Sequence, residues 1–316
     1  MLRGVYMLYK RDFIDQRIKS VIRTSETCIG EGKVASYIPE LANVNPDNFA
    51  LSITSVTGES FNYGNYDYDF SIQSICKVLL LIMALHDNDP EAVYNKVGSE
   101  PTKYEFNSLV PITDKASNPF INAGAITTAS MILGNSVDDK FDRILDYYKK
   151  LSKHEKAYLM EEVYSSEMET TDRNKAIAYY LKSKEIFDDD PEMVLDLYIR
   201  ACSISTNVVG LSRMGAVLAN KGFEIDSHYN LLSKSEVQIV LSQMATCGMY
   251  EKSGRYLMNV GIPSKSGVSG GILGVVPGVC GIGVYSPRLD ETGNSVRGKE
   301  IFNMLGQELD LSIFIH

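Results

Sequence analysis

The chain is poor in the side chains that hold metals or cross-link loops. Its five cysteines, Cys28, Cys76, Cys202, Cys247 and Cys280, stand singly, without the paired spacing of a zinc site or a disulfide framework. The four histidines, His86, His154, His228 and His316, are as isolated, and none forms a helical His-x-x-x-His pair. Metal-dependent chemistry is therefore not expected. Positive charge is also short: 31 Lys and Arg face 40 Asp and Glu, and the net charge of −9 argues against nucleic acid and anionic membranes as partners. The apolar run at residues 78–85 is far too short to span a bilayer. Residues 1–6 carry neither an apolar run nor the small-residue cleavage site of a secretory signal, so the expected compartment is cytoplasmic.

What is present is ordinary for a globular protein: 316 residues, 44% of them hydrophobic and 22% charged, enough for one large domain or two interleaved ones. Helical spacing runs through residues 11–29, and 33–41 reads as a short helix or turn broken at Pro39. Residues 51–56 alternate with period two and, with 61–64, predict a β-hairpin. From Ser74 to about Leu241 the pattern is mostly helical, including 123–133, 136–149, 176–183, 193–202, 208–220 and 234–244. Asp188-Asp189-Asp190-Pro191 reads as a solvated helix start. After Tyr250 the texture changes to short glycine-bounded apolar runs at 255–260, 271–276 and 281–286, read as strands, before a final amphipathic helix at 295–309. Strands at both ends with helices between predict one sheet built from 1–70 and 251–316, and a helical subdomain from 71–250, within a single domain.

The stretch from Asp69 to Leu85 carries the first chemical signal. Ser74 precedes Lys77 by three residues, a spacing that places both on one face of a helix, and the apolar run that follows requires that helix to be buried. Burial disfavours an ammonium and can turn the lysine into a base for the serine proton. A helix start also supplies backbone N–H groups suited to an oxyanion. A plain alternative stands beside this reading: Ser74 as an N-cap, with Lys77 solvated. No nucleophile-elbow sequence points to a Ser-His-Asp triad.

Further blocks follow in order. They are Val97-Gly98-Ser99-Glu100-Pro101, Asn118-Pro119-Phe120-Ile121-Asn122-Ala123-Gly124-Ala125-Ile126, Asp172-Arg173-Asn174, Cys247-Gly248-Met249-Tyr250 and Lys265-Ser266-Gly267-Val268-Ser269-Gly270-Gly271. Together with Ile72-Gln73-Ser74-Ile75-Cys76-Lys77, they closely resemble the serine-dependent glutaminases, from about residue 34 to about residue 298. Many bacterial members carry serine where Cys76 stands here. The resemblance implies an α/β (α+β) architecture shared with serine β-lactamases and penicillin-binding proteins, an antiparallel sheet flanked by helices with an inserted helical domain.

It also implies hydrolysis of L-glutamine to L-glutamate and ammonia through a Ser-linked γ-glutamyl intermediate, with no metal or organic cofactor and a homo-oligomeric (dimeric or tetrameric) assembly. Block by block, Ser74 becomes the nucleophile, Lys77 its activator and Tyr250 the second proton-transfer group. The Lys265-Ser266-Gly267 element borders the site, and the Val268 N–H joins that of Ser74 in an oxyanion hole. Tyr37, Gln73, Asn122, Glu167, Asn174 and Tyr198 match substrate-holding positions. Each of these has a plainer reading: Glu167 as an exposed carboxylate, Tyr198 as core, Asn122 and Asn174 as helix caps. The rivals to a glutaminase are a β-lactamase-like hydrolase, which the missing Ser-Asp-Asn block disfavours, and a non-catalytic amino-acid-binding relative.

Overall fold

The computed structural model describes residues 11–315, so residues 1–6 and His316 lie outside the described residues. In α1 (Arg11–Ser25) the apolar side chains Ile14, Ile18 and Val21 fall at helical spacing and are buried as one stripe. The hairpin follows as β1 (Ala50–Ser55) and β2 (Ser60–Gly64), paired antiparallel from Ala50 opposite Gly64 to Thr54 opposite Ser60. Then come the short strand β3 (Phe70–Ser71), α2 (Cys76–Asp87), α3 (Pro90–Lys96), and a helix-free stretch up to α4 (Asn122–Ser130). The remaining helices before the next strand are α5 (Val137–Ser152), α6 (Glu161–Glu169), α7 (Asp172–Ser183) and α8 (Pro191–Cys202). The side chains of Ser136 and Asp190 accept from backbone N–H groups at the starts of α5 and α8, so the acidic run 188–190 does initiate a helix. The chain continues through β4 (Ser205–Thr206), which pairs with β3, then α9 (Val208–Ala219) and α10 (Lys234–Cys247). It ends with α11 (Ser253–Val260), β5 (Ser264–Ser266), β6 (Gly271–Val276), β7 (Cys280–Tyr285) and α12 (Val296–Glu308).

The main sheet has the order β2-β1-β7-β6-β5, and every neighbouring pair is antiparallel. Strands from both ends of the chain thus share one sheet, with helices between them in sequence. One face buries Leu51, Ile53, Ile272, Ile282 and Val284 against α1 and α12 through Ile14, Ile18, Ile301, Phe302 and Leu305. The other face receives α9 at very short range. A Cβ on Gly281 would stand 2.1 Å from the Ser212 carbonyl oxygen, and one on Gly283 would stand 2.4 Å from that of Val208. The two glycines of β7 are therefore what lets α9 lie on the strand. Ser52 and Thr54 of β1 meet the Ser212 hydroxyl at 2.8 Å each, which satisfies the polar groups buried at that contact.

Residues 255–260 are helical, within α11, not a strand. Tyr256 and Val260 are buried four residues apart while Met258 is exposed, so the apolar run has helical period. No helix among the described residues is long and apolar enough to cross a membrane.

Candidate active site

Ser74 sits in a 3-10 turn, Gln73–Ile75, that runs directly into α2. The turn is tightened by Gln73, whose φ of +48° lies in the left-handed region that a side chain adopts at a cost of about 1–3 kcal/mol. From Cys76 to Leu85 every residue of α2 is buried, Lys77 included. The Lys77 amine donates to Asn122 Oδ1 at 2.6 Å and to the Phe120 carbonyl at 3.2 Å. Both acceptors come from the block around Asn118, whose Oδ1 accepts from the N–H groups of Phe120 and Ile121 and so shapes the turn before α4. Burial lowers the Lys77 pKa to about 8, against weaker opposition from Glu167 and the Cys76 and Cys202 thiols. The solvated-lysine reading is thereby overturned.

Asn122 is the hub of the site. Besides Lys77, its Oδ1 accepts from the Tyr198 hydroxyl at 3.3 Å, and its Nδ2 donates to Asn174 Oδ1 at 2.8 Å. Asn174 in turn donates to Thr171 Oγ1 at 3.3 Å. Asn122, Asn174 and Tyr198 thus spend their side chains on one another, not on helix caps. Glu167, on α6, is 7% exposed, and its Oε2 accepts from Gln73 Nε2 at 3.2 Å. Burial raises its pKa to about 7, opposed by the Gln73 bond and the Lys77 charge.

Tyr250 reaches the cluster from the far side, after α10. It too has a left-handed backbone, φ +54°, and its hydroxyl donates to the Ser266 carbonyl at 3.2 Å. Burial raises the phenol pKa, and an interaction with the Ser74 side chain opposes that rise. The lysine amine is meanwhile engaged with Asn122 and Phe120. The next turn, Gly267-Val268, presses on the turn that bears Ser74: a Cβ on Gly267 would be 2.9 Å from the Ile72 carbonyl and 3.5 Å from Gln73 Cβ. Val268 is buried there. Tyr37 stands at the rim, 54% exposed, beside Val268 and Phe106 in an open cleft of about 1140 Å³.

Gln73, Ser74, Lys77, Asn122, Glu167, Asn174, Tyr198 and Tyr250 therefore converge, with Val268 against the turn and Tyr37 at the mouth. Two more side chains, those of Phe106 and Lys265, belong to the cluster without having been given a role of their own from the sequence. The Phe106 ring lies 5.0 Å from that of Tyr250 and 5.9 Å from Lys77 Nζ, and its N–H donates to Glu251 Oε1 at 3.1 Å. No sequence signal marks Phe106, which lies in the helix-free stretch. Lys265 is fully buried and its Nζ is 4.7 Å from the Tyr250 ring centroid. The resemblance of Lys265-Ser266-Gly267 marked its place at the border of the site, but not a task for its amine.

An antiparallel sheet carrying helices, with a buried serine, lysine and tyrosine gathered in one cluster, defines a hydrolase of the β-lactamase-like architecture. The comparisons narrow this class. The family model described as Glutaminase matches residues 32–314. A glutaminase of Clostridium tetani (strain Massachusetts / E88) is 44% identical over 305 residues, covering 95% of this chain and all (100%) of the relative. Glutaminase 2 of Clostridium perfringens (strain 13 / Type A) is 42% identical over 301 residues, 94% of this chain and 99% of that one. Among solved structures, the probable glutaminase ybaS superposes with a TM-score of 0.90 at 38% identity, covering 95% of this chain and 98% of that chain. The Bacillus subtilis glutaminase YbgJ, in covalent complex with 5-oxo-L-norleucine formed from 6-diazo-5-oxo-L-norleucine, gives a TM-score of 0.86 at 32% identity over 95% of this chain and 99% of its own. This chain belongs to the glutaminase family.

Proposed function

We propose that this protein hydrolyses L-glutamine to L-glutamate and ammonia by acyl transfer through Ser74. The observation that carries the reading is Glu167: a buried carboxylate, held by a neutral amide, beside the turn that bears the serine. A buried carboxylate with no cationic side chain bonded to it suits a ligand ammonium, and an α-amino acid brings one. Asn174 and Tyr198 are donors suited to the α-carboxylate, and that head-down pose directs the side-chain amide toward Ser74. The Ser74 oxygen then bonds to the amide carbon as its proton passes to Lys77. The C–N bond breaks as Tyr250 delivers a proton to the departing nitrogen and is reprotonated from Lys77, and water then hydrolyses the γ-glutamyl ester, its oxygen passing to glutamate and a proton returning to Ser74. The N–H groups of Ser74 and Val268 serve the oxyanion. The covalent complex that the Bacillus subtilis relative forms with 5-oxo-L-norleucine supports a covalent route.

The test is glutamate and ammonia release, measured with glutamine and asparagine side by side and with a chromogenic cephalosporin as control. Glutamine is expected to turn over, with kcat/KM for asparagine at least about tenfold lower, because a chain one methylene shorter misplaces its amide. Opening of the cephalosporin with glutamine untouched would return the β-lactamase-like reading.

Glu167→Gln separates affinity from stability. Loss of the charge-assisted contact should cost about 1.5–3 kcal/mol, raising KM for glutamine by roughly 10- to 100-fold. The folded protein holds the Glu167 proton more tightly than the unfolded chain, so its carboxylate costs stability progressively from about pH 4.5 to about pH 7, and fully above. Removing that cost should stabilise the variant at pH 8 by up to about 3 kcal/mol, with little difference near pH 4.5. Urea titrations at the two pH values and steady-state kinetics check both halves. An unchanged KM would take Glu167 out of substrate binding.

A further inference from the structure

Lys265 is the second fully buried lysine of the site, and the acyl transfer described above gives it no task. Its Nζ donates to the Ser266 carbonyl at 2.6 Å, and the same oxygen accepts the Tyr250 hydroxyl at 3.2 Å. The amine lies over the Tyr250 ring at 4.7 Å from its centroid and 5.8 Å from that of Phe120. Among the described residues no carboxylate pairs with it. Burial first, and the Lys77 charge second, hold its pKa well below the ordinary lysine range. An apolar side chain of similar length would fill the space without the cost of burying a polar head.

We propose that Lys265 is a positioning residue for Tyr250, sharing the Ser266 carbonyl with the phenol so that the hydroxyl stays free to hand its proton to the departing ammonia. A carbonyl with two donors holds each less tightly than a carbonyl with one. The 2.6 Å bond goes to the amine, and the phenol keeps the longer contact at 3.2 Å, close to Ser74. Without the amine, the Ser266 oxygen takes the phenol as its principal donor and draws the proton away from the reacting atoms. The amine beneath the ring also fixes the ring plane. The inference rests on Tyr250 being the proton donor of the proposed reaction.

The experiment compares kcat and KM for glutamine in Lys265→Met, Lys265→Gln, Tyr250→Phe and the double variant Lys265→Met/Tyr250→Phe, with thermal melts of each. Lys265→Met is expected to lower kcat about 10- to 100-fold with KM within about threefold of wild type, as loss of an aligned proton transfer would. Lys265→Gln, which keeps an N–H donor, should recover part of that loss. The double variant should be no slower than Tyr250→Phe alone, because residues acting through one group are not additive. A purely structural lysine gives a different pattern, with the two losses multiplying, and that result overturns the proposal. So does a Lys265→Met enzyme with kcat within threefold of wild type. If Lys265→Met does not fold, Lys265→Gln and its double with Tyr250→Phe carry the same comparison. Wild-type kcat in Tyr250→Phe removes the proton-donor assignment and this proposal together, whereas a slow Tyr250→Phe with multiplying losses overturns the proposal alone.

Discussion

Ser74→Ala is expected to abolish glutamine turnover, with kcat falling by about four orders of magnitude or more, while glutamine and glutamate still bind. Loss of a nucleophile removes the covalent route itself, and such losses run to several powers of ten. Ground-state affinity should survive, because the groups proposed to hold the head of the substrate, Glu167, Asn174 and Tyr198, bond to Gln73 and Asn122 and not to the serine. The substitution is also mild structurally. Ser74 is 7% exposed and alanine keeps its Cβ, so only the contact with the Tyr250 phenol is lost. Calorimetric titration with glutamine and a discontinuous glutamate assay decide the matter: more than about a hundredth of wild-type turnover in a folded Ser74→Ala protein takes the nucleophile's role from this residue.

Lys77→Met should fail at the same step of the reaction, acylation. With its pKa near 8, roughly a tenth of the lysine is neutral at pH 7 and able to take the serine proton, against a negligible fraction at the ordinary value. The neutral fraction grows with pH, so kcat of the wild type should climb through about pH 8 and then level. Methionine fills the volume but removes the base, and kcat should drop about 10²- to 10⁴-fold and lose that rising limb. It also strips a donor from the Phe120 carbonyl, at a cost of about 1–3 kcal/mol, and from Asn122 Oδ1, which keeps Tyr198, and this is partly offset because no charge is then buried. Rapid-quench mass spectrometry with glutamine isolates the chemistry from the packing. A γ-glutamyl adduct that forms on Lys77→Met at the wild-type rate would reverse the roles of Lys77 and Tyr250.

Elements whose side chains alternate or recur with one clear period were legible in the sequence. Ile14, Ile18 and Val21 mark α1, and the alternation at 51–56 marks β1, because in both the buried face is apolar and the other polar or paired. Two weak signals adjoin each other. The run at 255–260 was read as a strand, yet its buried pair, Tyr256 and Val260, obeys helical spacing, and six residues are too few to separate the periods by eye. The neighbouring strand, Ser264–Ser266, shows no apolar period, being Ser-Lys-Ser buried by the site it borders, so only the resemblance of Lys265-Ser266-Gly267 marked it.

The same physics governs the site. Ser74 and Lys77 were legible because an all-apolar helix follows them. The burial of Glu167 was not, since α6 alone looks amphipathic and only its packing near Gln73 encloses the carboxylate. Phe106 carried no signal at all: its place over Lys77 and Tyr250 depends on how the helix-free stretch folds back to Glu251 and Asn122.

The covalent route through Ser74 is tested most directly by reacting the protein with 6-diazo-5-oxo-L-norleucine and mapping the label by peptide mass spectrometry. The account predicts one 5-oxo-norleucinyl group on the peptide carrying Ser74, appearing in step with the loss of activity, slowed by glutamine and absent from Ser74→Ala. Inactivation with the label on any other residue, or with Ser74 unmodified, would contradict it.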